Sequence, residues 1–110
     1  MKVLFNTDKT ISGSEKGQHY FTSMVEERLR NYEADITRVE VHLSDENGKK
    51  EGPNDVRCLL ETRIGGRQPL AVSSQANTVE HALSTAIDKL SATLETTLGK
   101  MHSHKKQVKI

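Results

Sequence analysis

The sequence predicts an α+β domain of order β-α-β-β-β-α, a four-stranded mixed sheet with two helices packed on one face. Three observations predict it. "DVRCLLETRIGGRQPLAVSSQ" alternates apolar and polar residues on either side of a Gly-Gly pair, as two strands joined by a turn do. "NTVEHALSTAIDKLSATLETTLGKM" repeats apolar residues at the spacing of one face of a long helix. Upstream, a short strand, a helical stripe and a second alternating strand follow one another.

The elements justify themselves in order. "KVLFNT", residues 2–7, is a short strand with Val3 and Phe5 on one face and Leu4 on the other. Ser12 and Glu15 have capping-box spacing, and a helix follows to about Glu33. Its apolar positions Phe21, Met24, Val25, Leu29 and Tyr32 form one stripe. Gly17 weakens the first turns by about 1 kcal/mol relative to Ala. From Arg38 to Leu43 the pattern alternates, with Val39, Val41 and Leu43 inward and Arg38, Glu40 and His42 outward. "SDENGKKEGPND", residues 44–55, is a loop by composition. Val56, Cys58, Leu60 and Ile64 then alternate with Arg57, Glu61 and Arg63, and Leu59 interrupts the outward polar set.

Gly65 and Gly66 supply the positive φ of a tight turn. The next strand covers about Gln68 to Gln75, and Pro69 at its start marks an edge strand. Asn77 or Thr78 caps the last helix, with Glu80 placed to complete a box from Asn77. Val79, Leu83, Ala86, Ile87, Leu90, Leu94, Leu98 and Met101 form its apolar stripe. Gly99 is either a helix stop or a weak point. A right-handed crossover makes the first two strands parallel and places the first helix on the face to which the last helix returns.

Length allows one domain, residues 1–101, followed by a basic tail at 102–110 that is expected to be disordered. With 34% hydrophobic residues and a net charge of +1, the chain is polar and well patterned, and it is not a polybasic condenser of nucleic acid. One cysteine excludes an internal disulfide and a multi-cysteine zinc site. The N-terminus has too short an apolar run for a signal peptide, and no run approaches the ~20 apolar residues of a membrane span. The expectation is a soluble, cytoplasmic protein with no membrane partner.

Chemistry-bearing residues are sparse. Cys58 lies on the inward period of a strand and reads as a small buried hydrophobe, not a nucleophile. His42 and His81 read as surface residues, and His102 and His104 have no carboxylate or cysteine partners nearby. Glu26 and Glu27 are adjacent on a helix and cannot share a substrate. No phosphate loop or nucleophile elbow is present. The reading is no enzyme, no catalytic residue, no metal, no cofactor and no small-molecule substrate.

Binding remains, and the basic residues are its candidates. Arg28 and Arg30 fall on the exposed side of the first helix, Arg38 opens the second strand, and Lys89 faces out from the last helix. Lys100, Lys105, Lys106 and Lys109 gather near the C-terminus with His102 and His104, and no acidic residue follows Glu95. A basic helix end also complements a helix dipole, which is the plainer account. Arg57, Arg63 and Arg67 form a second group diluted by Glu61. The RNA-binding candidates are therefore Arg28, Arg30, Arg38, Lys89, Lys100, Lys105 and Lys106. The rival is a protein-interaction module, including a weak homodimer through an edge strand.

The element order, with "ITRVEVHLSDENG", "DVRCLLETRIGGRQPLAV" and "AIDKL" in sequence, resembles the ribosome hibernation-promoting factor family. This family is also called ribosome-associated inhibitor or sigma-54 modulation protein. The likeness runs from about Val3 to Met101 and is to the short, single-domain type. It implies a factor that docks on the small ribosomal subunit and its RNA and silences idle ribosomes in starvation or stationary phase. Lys89 matches the lysine of the family's "DKL" segment, and Arg28 matches a basic position of the first helix. After Leu90 the family's Arg, Lys and Gln residues give way to Ser91, Ala92, Thr93, Glu95, Thr96 and Thr97. Either Lys100 to Lys109 take over that role, or ribosome binding is weaker, or the partner differs.

Overall fold

Strict alternation in two segments builds the centre of the sheet. The computed structural model describes residues 1–7, 15–45 and 56–108, except the side chains of Glu15, Lys16, Asp45 and residues 100–108. Four strands, β1 (Lys2–Thr7), β2 (Ile36–Asp45), β3 (Val56–Ile64) and β4 (Leu70–Ala76), form one sheet in the order β1-β2-β3-β4. β1 pairs with β2 in parallel, Val3 opposite Val39 and Phe5 opposite Val41. β2 and β3 are antiparallel, with Val41 opposite Leu60 and Leu43 opposite Cys58. β3 and β4 are also antiparallel, with Leu60 opposite Val72.

Inward residues bury completely in the two central strands: Val39, Val41, Cys58, Leu60 and Thr62 are all 0% exposed. Alternation alone would turn Thr37 inward. A register shift between Ile36 and Arg38 leaves Ile36 in the core and Thr37 exposed, as an inserted bulge residue does. β4 begins at Leu70, just after Pro69, and is a sheet edge as the proline suggested.

Two helices cover the apolar face. α1 (Glu15–Arg28) packs on β1 and against α2 (Val79–Val108), which covers β3 and β4. Val25 and Leu29 from the first stripe, and Ala82, Leu83, Ala86, Ile87, Leu90 and Leu94 from the second, are 0% exposed. Among the described residues, no helix lies on the other sheet face. α1 ends earlier than the stripe suggested. Leu29 sits in a turn, and a 3-10 turn at Arg30–Tyr32 follows, with the Tyr32 amide donating to the Leu29 carbonyl at 2.9 Å. That tighter turn still keeps Tyr32 packed against the core.

Thr78 is the cap of α2, its Oγ1 accepting from the His81 amide at 3.1 Å. The Glu80 carboxylate accepts from the Tyr20 hydroxyl at 2.9 Å and so ties the first turn of α2 to the second turn of α1. This contact holds the Tyr20 phenol above its usual pKa range, first through the hydrogen bond and then through the carboxylate's charge. At Gly99 the helix does not stop. A Cβ there would meet nothing within 4 Å, the backbone stays helical, and α2 runs on to Val108 through most of the segment expected as a disordered tail. The capping box at Ser12 and the loop at residues 46–55 lie outside the described residues. The turn after β3 hydrogen-bonds the Arg67 amide to the Ile64 carbonyl at 3.2 Å, with Gly66 at φ 74°, the third position of a turn that requires positive φ.

Thr62 is a polar residue among the inward set, and its Oγ1 is buried without a hydrogen-bond partner. An unsatisfied buried hydroxyl costs about 1–3 kcal/mol relative to an apolar group of the same shape. Thr62→Val is therefore expected to raise stability by about 1 kcal/mol, read as a higher urea midpoint at unchanged slope.

Candidate nucleic-acid interface

The predicted cations reach their places through the elements just described, and the structure separates them. Arg28 occupies the last turn of α1, where α1 meets α2. Its Nη2 forms an ion pair with the Asp88 carboxylate, and its Nη1 donates to Ser84 Oγ at 2.7 Å. The guanidinium is thus neutralised within the chain and works as a strap between the helices. With both partners partly exposed, such a pair contributes at most about 1 kcal/mol.

Arg30, in the 3-10 turn, is exposed and borders an open depression lined by Met1, Ser23, Glu26, Glu27 and Glu33. Three carboxylates around one guanidinium oppose the approach of a phosphate. Arg38 is on the sheet face away from the helices. Its Nη2 lies 3.7 Å from Glu40 Oε1, and its Nε is shielded without a partner. Lys89 projects from α2 towards the edge strand and donates to the Ser73 backbone carbonyl at 2.8 Å. Lys100, Lys105 and Lys106 follow on the helical backbone of α2, and their side chains lie outside the described residues.

Arg28, Arg30, Arg38 and Lys89 therefore do not converge into a single positive ridge. Two are offset by neighbouring acids, one faces three carboxylates, and one is held by a carbonyl. The register assembles groups that linear reading does not. Lys2, Arg38 and Arg63 stand opposite one another across β1, β2 and β3, a cationic row on the helix-free face. The next row holds Leu4, Glu40, Glu61 and Ala71. His42 lies two residues along β2 from Glu40, and its Nε2 is 3.0 Å from Glu61 Oε1. Glu40, His42 and Glu61 present ligand atoms within 4.8 Å of one another, the arrangement among the described residues suited to a cation. Tyr20, 52% exposed, is the large apolar side chain left at the described surface, its ring edge-on to Phe21.

Cys58 is 0% exposed and burial pushes its thiol up to about 12, so it stays protonated and unreactive in the core. No helix among the described residues is long and apolar enough to cross a membrane.

Comparison with known proteins then places the chain. No curated relative matches it. Among solved structures it is similar to the N-terminal domain of Protein Y from Thermus thermophilus, at 16% identity and a TM-score of 0.68, over 88% of this chain and 99% of that one. It is also similar to a ribosomal subunit interface protein from Coxiella burnetii, at 10% identity and a TM-score of 0.72, over 90% of this chain and 99% of that one. At such identities the likeness shows the fold. Residues 6–102 match the family described as Sigma 54 modulation protein / S30EA ribosomal protein, and since that match takes in α1, β2 to β4 and most of α2, the chain belongs to this family.

Proposed function

We propose that this chain is a ribosome-associated hibernation factor that binds small-subunit ribosomal RNA in the cytoplasm and reversibly inhibits translation under starvation or in stationary phase. The single observation that carries this reading is the family match across residues 6–102. A structural neighbour described as a ribosomal subunit interface protein supports it. Near-neutral net charge means that affinity must come from local groupings. Folded RNA is met mainly through shape and phosphate contacts, which a rigid αβ platform with a few placed cations supplies.

Lys89, Lys100, Lys105 and Lys106 are the cations proposed to meet phosphates along α2. Arg38, in its row with Lys2 and Arg63, offers a second contact region on the open sheet face. Arg28 and Arg30 take lesser parts, the first held by Asp88 and the second flanked by glutamates.

The test is sedimentation of stationary-phase lysate through sucrose gradients, with and without nuclease. The protein is expected with small subunits or whole ribosomes, and association is expected to weaken several-fold or more between about 50 and 200 mM salt. Replacing Lys89, Lys100, Lys105 and Lys106 by Ala is expected to flatten the log–log salt slope by roughly 0.7–0.9 per phosphate contact removed. Arg28→Ala is expected to change that slope less than any of these lysine substitutions does. Protein that stays at the top of the gradient, or a partner retained after nuclease and insensitive to salt, would refute the reading and favour a protein-interaction module.

A further inference from the structure

We infer that Glu40, His42 and Glu61 form a binding site for a divalent transition-metal cation of the zinc class on the helix-free face of the sheet. The placement follows from strand geometry. Residues two apart on one strand share a face, and a directly opposed residue on the next strand joins them. Glu40 and His42 meet the first condition, and Glu61, opposite Glu40, meets the second. His42 Nε2 lies 3.0 Å from Glu61 Oε1 and 4.0 Å from Glu40 Oε2. Ligand bonds of about 2.1 Å in tetrahedral geometry put neighbouring ligand atoms roughly 3.4 Å apart. The two contacts bracket that spacing.

Three further observations point to a ligand. First, His42 Nε2 is shut off from solvent and has no hydrogen-bond partner among the described residues, although a carboxylate oxygen is 3.0 Å away. The oxygen lies off the direction of a ring N–H. Two ligands of one metal stand to each other in that way, since each aims at the ion and not at its neighbour. Second, Glu40 and Glu61 are like charges directly opposed, an arrangement that destabilises a sheet unless something neutralises it. Arg38 approaches only Oε1 of Glu40, leaving Oε2 towards His42, while Lys2 and Arg63 belong to the adjacent row. Third, the Asn6 side-chain amide faces His42 Nδ1, its Nδ2 placed 3.5 Å from it. Nitrogen and oxygen of an amide are exchangeable assignments. With its oxygen turned to the ring, Asn6 accepts from Nδ1–H and leaves the Nε2 lone pair for a metal, the usual outer support of a histidine ligand.

One imidazole with two carboxylates favours zinc and its neighbours over calcium or magnesium, which prefer all-oxygen sites. Three protein ligands leave a fourth position to water on an uncovered face. The bound ion would pin β2 to β3 at the middle of the sheet.

The experiment titrates the full chain with cobalt(II) and with zinc(II), following the cobalt visible absorption and the melting temperature. One ion per chain is expected, with a rise in melting temperature. His42→Gln and Glu61→Gln are each expected to weaken binding by at least about 100-fold, and Asn6→Ala by about 10-fold. Removing both tail histidines, His102→Ala with His104→Ala, is expected to change nothing. Circular dichroism shows whether each variant keeps the parent fold. No binding by the parent up to millimolar metal would overturn the proposal. So would a folded His42→Gln variant that binds like the parent, or binding abolished by the tail substitutions alone.

Discussion

Leu90→Ala is expected to lower stability by about 3–5 kcal/mol and the melting temperature by roughly 15 °C or more. Leu90 is 0% exposed at the middle of the α2 stripe, between Ala86 and Ile87 on one side and Leu94 on the other. The helix presses this stripe onto β3 and β4, so truncation leaves a void that two rigid layers cannot close. Urea denaturation should show a lower midpoint at the same slope, since the surface exposed on unfolding hardly changes. Glu95→Ala, on the exposed side of the same helix, should stay within about 0.5 kcal/mol of the parent. A Leu90→Ala variant that melts within a few degrees of the parent would mean that α2 is not held on the sheet by this face.

The second large effect concerns Cys58. Its thiol is raised from 9.0 to about 12 by burial in the core. Only the thiolate attacks an alkylating reagent, so at pH 8 the folded protein should react about 1,000-fold more slowly than the chain in denaturant, before any steric shielding is counted. The same shift makes stability depend on pH in a defined window. Below pH 9 both states hold the proton and nothing changes. Between pH 9 and about 12 the unfolded chain loses a proton that the folded chain keeps. The unfolded state then binds fewer protons, the slope of stability against pH is negative, and stability falls. Cys58→Ser should abolish the alkylation signal. Iodoacetamide labelling of native protein at the denatured rate would show that β3 is not closed over.

The parts of the fold that were legible in the sequence are those where one residue pattern admits one answer. β1 and β3 have the bounds read from the sequence, because a period-two set of inward apolar residues (Val3 and Phe5; Val56, Cys58, Leu60 and Ile64) marks both a strand and its buried side. β2 runs longer than its alternating segment, since the bulge before Arg38 changes the phase and hides Ile36 from a period-two reading. α1 stops at Arg28 while its stripe continues to Tyr32, because the 3-10 turn keeps Tyr32 roughly in line with the stripe. Thr62 escaped notice as an inward residue because its side chain is polar.

The charged surface was far less legible, for a physical reason. Arg28 and Asp88 are 60 positions apart, so their pairing depends on how the two helices meet. The Lys2, Arg38 and Arg63 row and the opposition of Glu40 to Glu61 depend on register, which the loop at residues 46–55 does not reveal by composition. A strand with outward Glu and His at i and i+2 was the available signal, and it gains meaning only once the opposing residue is known.

The hydrogen bond from Lys89 to Ser73 has a consequence for how this molecule meets others. A sheet margin with unsatisfied amide groups invites another strand to add to it, and an ammonium laid across a backbone carbonyl discourages that addition. The same ammonium is a candidate for phosphate contact. An ammonium has three N–H donors, so it can keep the carbonyl while it meets a phosphate, and attraction to a polyanion and resistance to self-stacking draw on the same nitrogen.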